Sequence, residues 1–206
     1  MIRLLGKIPH KVSVAVSGGL DSMVVLDFLN NGKNDIKVLH FDHGTKFGST
    51  AKEFVVNYCS ENGIPYVVGQ TKSSKMSTES WEEYWRNERY SFFKENNKRP
   101  IVTAHHLNDI AEWWIFSSLH GKAKIMPYEN GAFGIIRPFL ITPKKELEQW
   151  SIRNGVPYVQ DPSNESRRYM RNIIRHDIMP TATVVNPGLH KVLKKKVLEM
   201  FEDISA

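Results

Sequence analysis

The sequence predicts an α/β fold, a doubly wound and mostly parallel sheet with flanking helices and a small helical C-terminal extension. Short β-branched runs alternate with helical stretches over the first 120 residues. The first run ends in two glycines, Gly18 and Gly19, that lead at once into a helical pattern. Polar clusters close several of the runs: SGGLDS, then DHG, then AHH. Strands separated by helices pair in parallel through crossovers, and such a sheet gathers ligands outside the carboxyl ends of its strands.

Each element follows from its residues. Residues 12–16 (VSVAV) read as the first strand and 22–31 as the first helix. Residues 36–41 (IKVLHF) read as the second strand, and 49–62 as an amphipathic helix closed by Gly63. Residues 64–68 are the third strand, and 79–97 a long helix rich in aromatics. Residues 100–103 (PIVT) are the fourth strand, followed by a helix over 107–119. After Gly121 the rhythm loosens: 131–134 is a turn, 135–137 a short strand, and 143–154 a helix stopped by Gly155. Residues 161–164 form a polar loop, 169–179 a short helix, and 186–188 open a final helix. There Leu189, Val192, Leu193, Val197 and Phe201 recur at helical spacing, and Lys194, Lys195 and Lys196 fall largely opposite, as in a docked helix with a solvated basic face. Residues 1–125 are expected to form the nucleotide-binding core, and 126–206 its continuation with an arginine-rich segment and the terminal helix.

Composition narrows the function classes. A chain of 206 residues suits one α/β domain with a small appendage. Lys and Arg number 28 against 22 acids, a net charge of +6. That excess fits a polyanionic partner and a solvated basic surface alike. The single cysteine, Cys59, excludes an internal disulfide and a CxxC metal or cluster site. It reads as a small core residue of a reducing compartment. No apolar run of membrane-spanning length occurs and no signal peptide is evident, so a cytoplasmic protein is expected.

The segment VSVAVSGGLDS builds an anion site. Glycines at 18 and 19 let the backbone approach a ligand, and the helix that follows offers N–H groups and a favourable dipole. Ser17 and Ser22 add hydroxyls, and Asp21 can hold Mg²⁺ beside phosphates. The lysine of GxxxxGK[ST] is missing, so this is not a Walker A loop.

Further candidates sit at the other strand ends. Asp42 and His43 either meet a nucleotide or form a strand-end turn capped by Asp42. On the aromatic helix, Trp81, Tyr84, Trp85, Glu88 and Phe92 share one side, more in keeping with core than with base stacking, and Arg86 and Arg89 form an i,i+3 pair able to grip phosphate. On the 107–119 helix, Asp109 and Glu112 lie one turn apart, opposite Leu107, Ile110, Ala111 and Trp114. Acids on a nearly all-apolar helix need partners, so an ammonium group or a metal fits them. His105 and His106 precede them without a third metal ligand in the motif. DPSNESRRYMRNIIR, residues 161–175, offers Ser163, Asn164 and Asn172, with Arg168, Arg171 and Arg175 on one expected helical face suited to phosphates.

SGGLDS resembles the SGGxDS signature of the PP-loop ATP pyrophosphatases. In order along the chain, SGGLDS, DHG, WRNERY (85–90), AHHLNDIAE (104–112), IRPFL (136–140) and DPSNESRRYMRNIIR resemble the catalytic domain of the tRNA(Ile)-lysidine synthase family. Asn108, Ile110 and Trp113 stand where that family usually has Asp, Gln and Thr, and many members carry further C-terminal tRNA-binding domains. The resemblance implies ATP and Mg²⁺ at Ser17, Gly18, Gly19, Leu20, Asp21 and Ser22, with Asp42 and His43 nearby. It implies a tRNA(Ile) with a CAU anticodon as partner and free L-lysine as second substrate, and it allows a homodimer. The wobble cytidine would be adenylated at its C2 oxygen, and the lysine ε-amine would then displace AMP. Asp21, Arg86, Arg89, His105, Asp109 and Glu112 are the implied catalytic group, with Asp109 and Glu112 holding lysine. Arg137, Ser163, Asn164, Arg168, Arg171, Asn172 and Arg175 are the implied tRNA contacts. Another PP-loop RNA-modifying or amide-forming ligase, and a non-catalytic ATP- or tRNA-binding module, are the alternatives.

Overall fold

A computed structural model describes residues 1–205; Ala206 lies outside the described residues. The strands are β1 (Lys11–Ala15), β2 (Asp35–Asp42), β3 (Tyr66–Gln70), β4 (Ile101–Val102), β5 (Glu129–Asn130) and β6 (Ile135–Ile136). They form a six-stranded sheet in the order β3-β2-β1-β4-β6-β5. Every pairing is parallel except β5 against β6. The doubly wound, mostly parallel sheet is therefore as expected. The chain winds outward from β1 to β3 and then returns to place β4 beside β1. That reversal opens a crevice between the carboxyl ends of β1 and β4, the usual ligand position in such sheets.

The helices are α1 (Leu20–Asn31), α2 (Lys46–Glu61), α3 (Trp81–Glu95), α4 (Leu107–Leu119), α5 (Lys144–Asn154), α6 (Met170–Ile173), α7 (Met179–Val185) and α8 (Leu189–Ser205). Alternation of side chains divides the sheet between two cores. Val38, Val102 and Ile136 join the larger one, with Met23, Leu26 and Leu29 of α1, Val55 of α2 and Ile110 of α4. Their neighbours Leu39, Ile101 and Ile135 face the other way, onto Tyr90, Phe92 and Phe93 of α3. Cys59 is buried in the larger core, and burial pushes its thiol up to about 11, as for an inert packing residue.

Local chemistry explains where the boundaries differ from expectation. Thr45 caps α2, its hydroxyl accepting from Gly48 N at 3.0 Å, so the helix begins three residues before Ser49. Gly63, at φ +64°, ends it, and Ile64 N donates to Cys59 O at 2.8 Å. β3 starts two residues later than expected because Pro65 has no N–H for the ladder. β5 is an added two-residue edge strand. The expected 169–179 helix is instead α6, a π-helical stretch over Ile174–Ile178, and α7. Leu189, Leu193 and Val197 of α8 are buried against the larger core and Lys195 and Lys196 are exposed, while Val192 stays 46% exposed. Among the described residues, no helix is long and apolar enough to cross a membrane.

Candidate active site

The loop after β1 is laced by its own hydroxyls. Ser17 N donates to Ser22 Oγ at 3.1 Å, Ser22 Oγ donates to Gly19 O at 2.9 Å, and the two serine Oγ atoms lie 3.2 Å apart. Gly18 sits at φ +90°, a conformation that favours glycine. Gly19 is the N-cap of α1 with no side-chain cap, so the first turn of the helix, from Leu20 onward, keeps N–H groups for an anion. Asp21 lies in that turn, and its Oδ1 is buried without a hydrogen-bond partner.

The loop after β4 reaches the same place. His106 caps α4: Asp109 N lies 3.4 Å from His106 Nδ1, and His106 N donates to Asp109 Oδ2 at 2.9 Å. The other ring nitrogen, Nε2, lies 3.5 Å from Asp21 Oδ2. One buried imidazole thus joins the loop after β1 to the acidic pair on α4. Burial opposes its charge, but Asp109 and Asp21 outweigh it and hold the His106 pKa above the ordinary value. Burial likewise works against ionised Asp109, yet His106 and Arg171 hold its carboxyl well below the usual carboxylate range.

Asp109 and Glu112 are both buried, at 7% and 6% exposure. Their partners come from the arginine-rich segment. Arg175 forms a fork with Glu112, Nε to Oε1 at 2.7 Å and Nη2 to Oε2 at 2.9 Å. Arg171 Nη2 meets Asp109 Oδ1 at 2.9 Å. Cross contacts of 3.6 Å, Arg171 to Glu112 and Arg175 to Asp109, complete a four-membered network. The expected lysine carboxylates and two of the expected tRNA arginines are therefore each other's neighbours. The π-helical stretch lies in the segment that carries Arg175, a feature common near functional sites.

Other expected residues fall into distinct places. His105 accepts or donates to Thr103 Oγ1 at 2.8 Å, and burial lowers its pKa to about 3, so it is neutral. Arg89 is half-buried and Arg86 exposed; both lie on the ring of Tyr90, at 6.0 and 4.6 Å. Asp42 Oδ1 accepts from Gly44 N at 2.8 Å, the strand-end cap among its two readings. His43 packs between Phe41 and Trp85, with Nδ1 buried and unpartnered. Burial takes its pKa down to about 4. Ser163, Asn164 and Arg168 are exposed.

Three placements correct the expectation. Arg137 is 4% exposed, its Nη1 donating to Pro127 O at 2.8 Å, so it is turned inward rather than toward a bound RNA. Asn172 is buried and clamps the preceding loop, Nδ2 donating to Ser163 O and Ser166 O at 2.8 and 2.9 Å. Arg168 precedes α6, so it does not share a helical face with Arg171 and Arg175. Of the positions departing from the resembled pattern, Asn108 Oδ1 accepts from Lys144 N at 3.0 Å and fixes the start of α5, and Ile110 is core. His106, read from the sequence only beside His105 as one of two histidines without a third metal ligand, is instead the cap of α4. Its signal was the H-x-x-D spacing of a capping box ahead of an apolar helix.

A sheet with an anion loop at its reversal point defines a nucleotide-binding α/β protein, and comparison specifies which. The family profile described as the PP-loop domain matches residues 3–182, and the chain belongs to that family. It is 34% identical over 203 residues to tRNA(Ile)-lysidine synthase of Thermotoga maritima, covering 90% of this chain and 48% of that protein. It is 33% identical over 211 residues to tRNA(Ile)-lysidine synthase of Thermosipho africanus, covering 93% and 48%. The chain spans about half the length of these curated relatives. Among solved structures, an NH3-dependent NAD synthetase from Campylobacter jejuni superposes with a TM-score of 0.49 at 12% identity, covering 94% of this chain and 85% of that one.

Proposed function

We propose that this domain is an ATP-dependent C–N ligase of the tRNA(Ile)-lysidine synthase type, acting on the wobble cytidine of a CAU anticodon in the cytoplasm. The observation that carries the reading is the Asp21–His106–Asp109 chain, which ties a phosphate loop to an acidic pair across one buried ring.

Ser17, Gly18, Gly19, Leu20 and Ser22 cradle the triphosphate. Among the described residues no group of three His, Cys, Asp or Glu could hold a metal by itself. The unpartnered buried Oδ1 of Asp21 instead fits a Mg²⁺ shared with the phosphates, the usual manner for this ion. Mg²⁺ bound there would neutralise charge on the departing pyrophosphate. The cytidine C2 oxygen attacks the α-phosphorus, the bond to the bridging oxygen breaks, and pyrophosphate leaves. Arg86 and Arg89, both on the ring of Tyr90, suit phosphates of the strand that brings the cytidine in. Lysine arrives as the ammonium and loses one proton to solvent; the neutral ε-amine then attacks C2, the C2–O bond breaks, AMP leaves, and the nitrogen releases its second proton to solvent. His106, tied to both halves, positions Asp21 and Asp109 relative to each other. Neutral His105 is a hydrogen-bonding group rather than a cation here.

The test supplies ATP, Mg²⁺, labelled lysine and candidate tRNAs. Lysine-dependent AMP release with label entering tRNA(Ile) is expected, and Asp21→Asn should slow pyrophosphate release by about a hundredfold or more. Pyrophosphate release indifferent to lysine would point to another PP-loop ligase. Binding without turnover would leave a binding module.

A further inference from the structure

The aromatic stripe of α3 is divided. Tyr84, Tyr90, Phe92 and Phe93 are buried, but Trp81 is 56% exposed and Trp85 half-buried. The two indoles lie 5.4 Å apart at 35°, and Trp85 lies 5.8 Å from the ring of His43. The three rings form a ladder that starts where β2 ends and climbs outward along the first turns of α3, on the carboxyl edge that also carries the phosphate loop. An indole left this open forgoes burial that its size would reward.

The ladder is held and charged. The segment before α3 is tied to Glu88, which accepts from Lys72 N at 2.6 Å and Ser73 Oγ at 2.7 Å. Lys75, just beyond, sits 5.4 Å above the Trp81 ring. Arg86 and Arg89 flank the stripe, and neither forms a salt bridge among the described residues.

We infer that Trp81 and Trp85 form a stacking platform for an unpaired base of single-stranded RNA, with Arg86 and Arg89 on the adjoining phosphates. Rings accept any base by its π-face, and the unpaired cations match a phosphate backbone. The inference rests on the RNA substrate proposed above and deepens it. The platform takes a base next to the reacting nucleotide and delivers that nucleotide to the loop after β1.

Fluorescence anisotropy of a short fluorescein-labelled single-stranded RNA with the full chain tests it. Trp81→Ala should weaken binding about tenfold, Trp81→Phe should restore most of it, and an RNA with one abasic nucleotide should bind the unmodified protein about as weakly as the Ala variant binds intact RNA. Ile152→Ala, at an 82% exposed position on α5, should bind as the unmodified protein does. Unchanged melting of Trp81→Ala excludes misfolding as the cause. RNA affinity equal in Trp81→Ala and the unmodified chain, or no RNA binding at all, overturns the platform. Lysine-dependent turnover, measured separately on the unmodified chain, separates the two readings: turnover with no Trp81 dependence removes the platform alone, and Trp81-dependent binding without turnover removes the ligase reading alone.

Discussion

Arg175 meets Glu112 with two parallel hydrogen bonds, Nε to Oε1 at 2.7 Å and Nη2 to Oε2 at 2.9 Å. Both carboxylate oxygens are thereby engaged, on a side chain only 7% exposed. Asp109 differs. Its closest arginine contact is a single bond from Arg171, whose side chain is 57% exposed. A fork to a buried carboxylate is the stronger and more specific arrangement, and a single bond to a solvated guanidinium is the more exchangeable one. The acidic pair therefore has a fixed half and an open half.

The fixed half should matter to stability. Arg175→Ala would leave buried Glu112 with only the 3.6 Å contact from Arg171. With Arg175 about a quarter exposed, the expected cost is about 2 kcal/mol, or a fall in Tm of about 4–8 °C. Glu112→Ala together with Arg175→Ala should recover part of that loss, because no unpaired charge remains. Denaturant unfolding of the four proteins in a double-mutant cycle reads the coupling, and a cycle with none would show the fork to be passive.

The open half should matter to lysine. If the incoming ammonium takes the place of Arg171 on Asp109, Arg171→Ala removes a competitor. The KM for lysine should then fall about two- to fivefold at saturating ATP and tRNA, while the KM for ATP holds. A rise in the lysine KM would instead make Arg171 part of the lysine pocket.

Much of this was legible in the sequence because the signals were local. The alternation of strands and helices, the glycine loop and the Asp109–Glu112 spacing all lie within a few neighbouring residues. β3 was misplaced by two residues because Ile64 reads as strand, although Pro65 breaks the ladder. β5 carries only Glu and Asn, which give no strand signal. The arginine partners of Asp109 and Glu112 lie 62 and 63 residues away, beyond any periodicity. The resemblance implies Arg137 and Asn172 as tRNA contacts, and the tertiary partners that bury them, the carbonyls of Pro127, Ser163 and Ser166, leave no local pattern in the sequence. For His106 the sequence shows the H-x-x-D spacing of a cap but not the approach of Asp21, which comes from another loop.

Acid should loosen the fold through two histidines held neutral. Burial sets His43 at about 4 and His105 at about 3, against about 6.5 in an unfolded chain. Between those values the unfolded state binds more protons, so stability rises with pH and is lost as pH falls from about 6.5 toward 4. His106 has the opposite sign: its raised pKa contributes stability at low pH that fades as pH rises past its folded value. His43→Asn should flatten the acid side of the profile. Chemical unfolding at several pH values checks this, and a slope unchanged in the variant would show that His43 titrates alike in the folded and unfolded chain.

The two glycines of the loop between β1 and α1 should separate folding from binding. Gly18 has φ +90°, and a Cβ there would lie 3.1 Å from Val159 Cγ2. Gly18→Ala is therefore strained in backbone and contact alike, with an expected cost of about 1–3 kcal/mol. Gly19 has φ −76°, an ordinary extended conformation, and its added Cβ would meet only Ser17 Oγ, at 3.6 Å. Gly19→Ala should melt like the unmodified protein. Yet that methyl group stands at the mouth of the first turn of α1, where a phosphate must approach the backbone, so ATP affinity should fall about tenfold or more. Calorimetry on the two variants gives both quantities. Full ATP affinity in a stably folded Gly19→Ala protein would move the triphosphate away from the turn between β1 and α1.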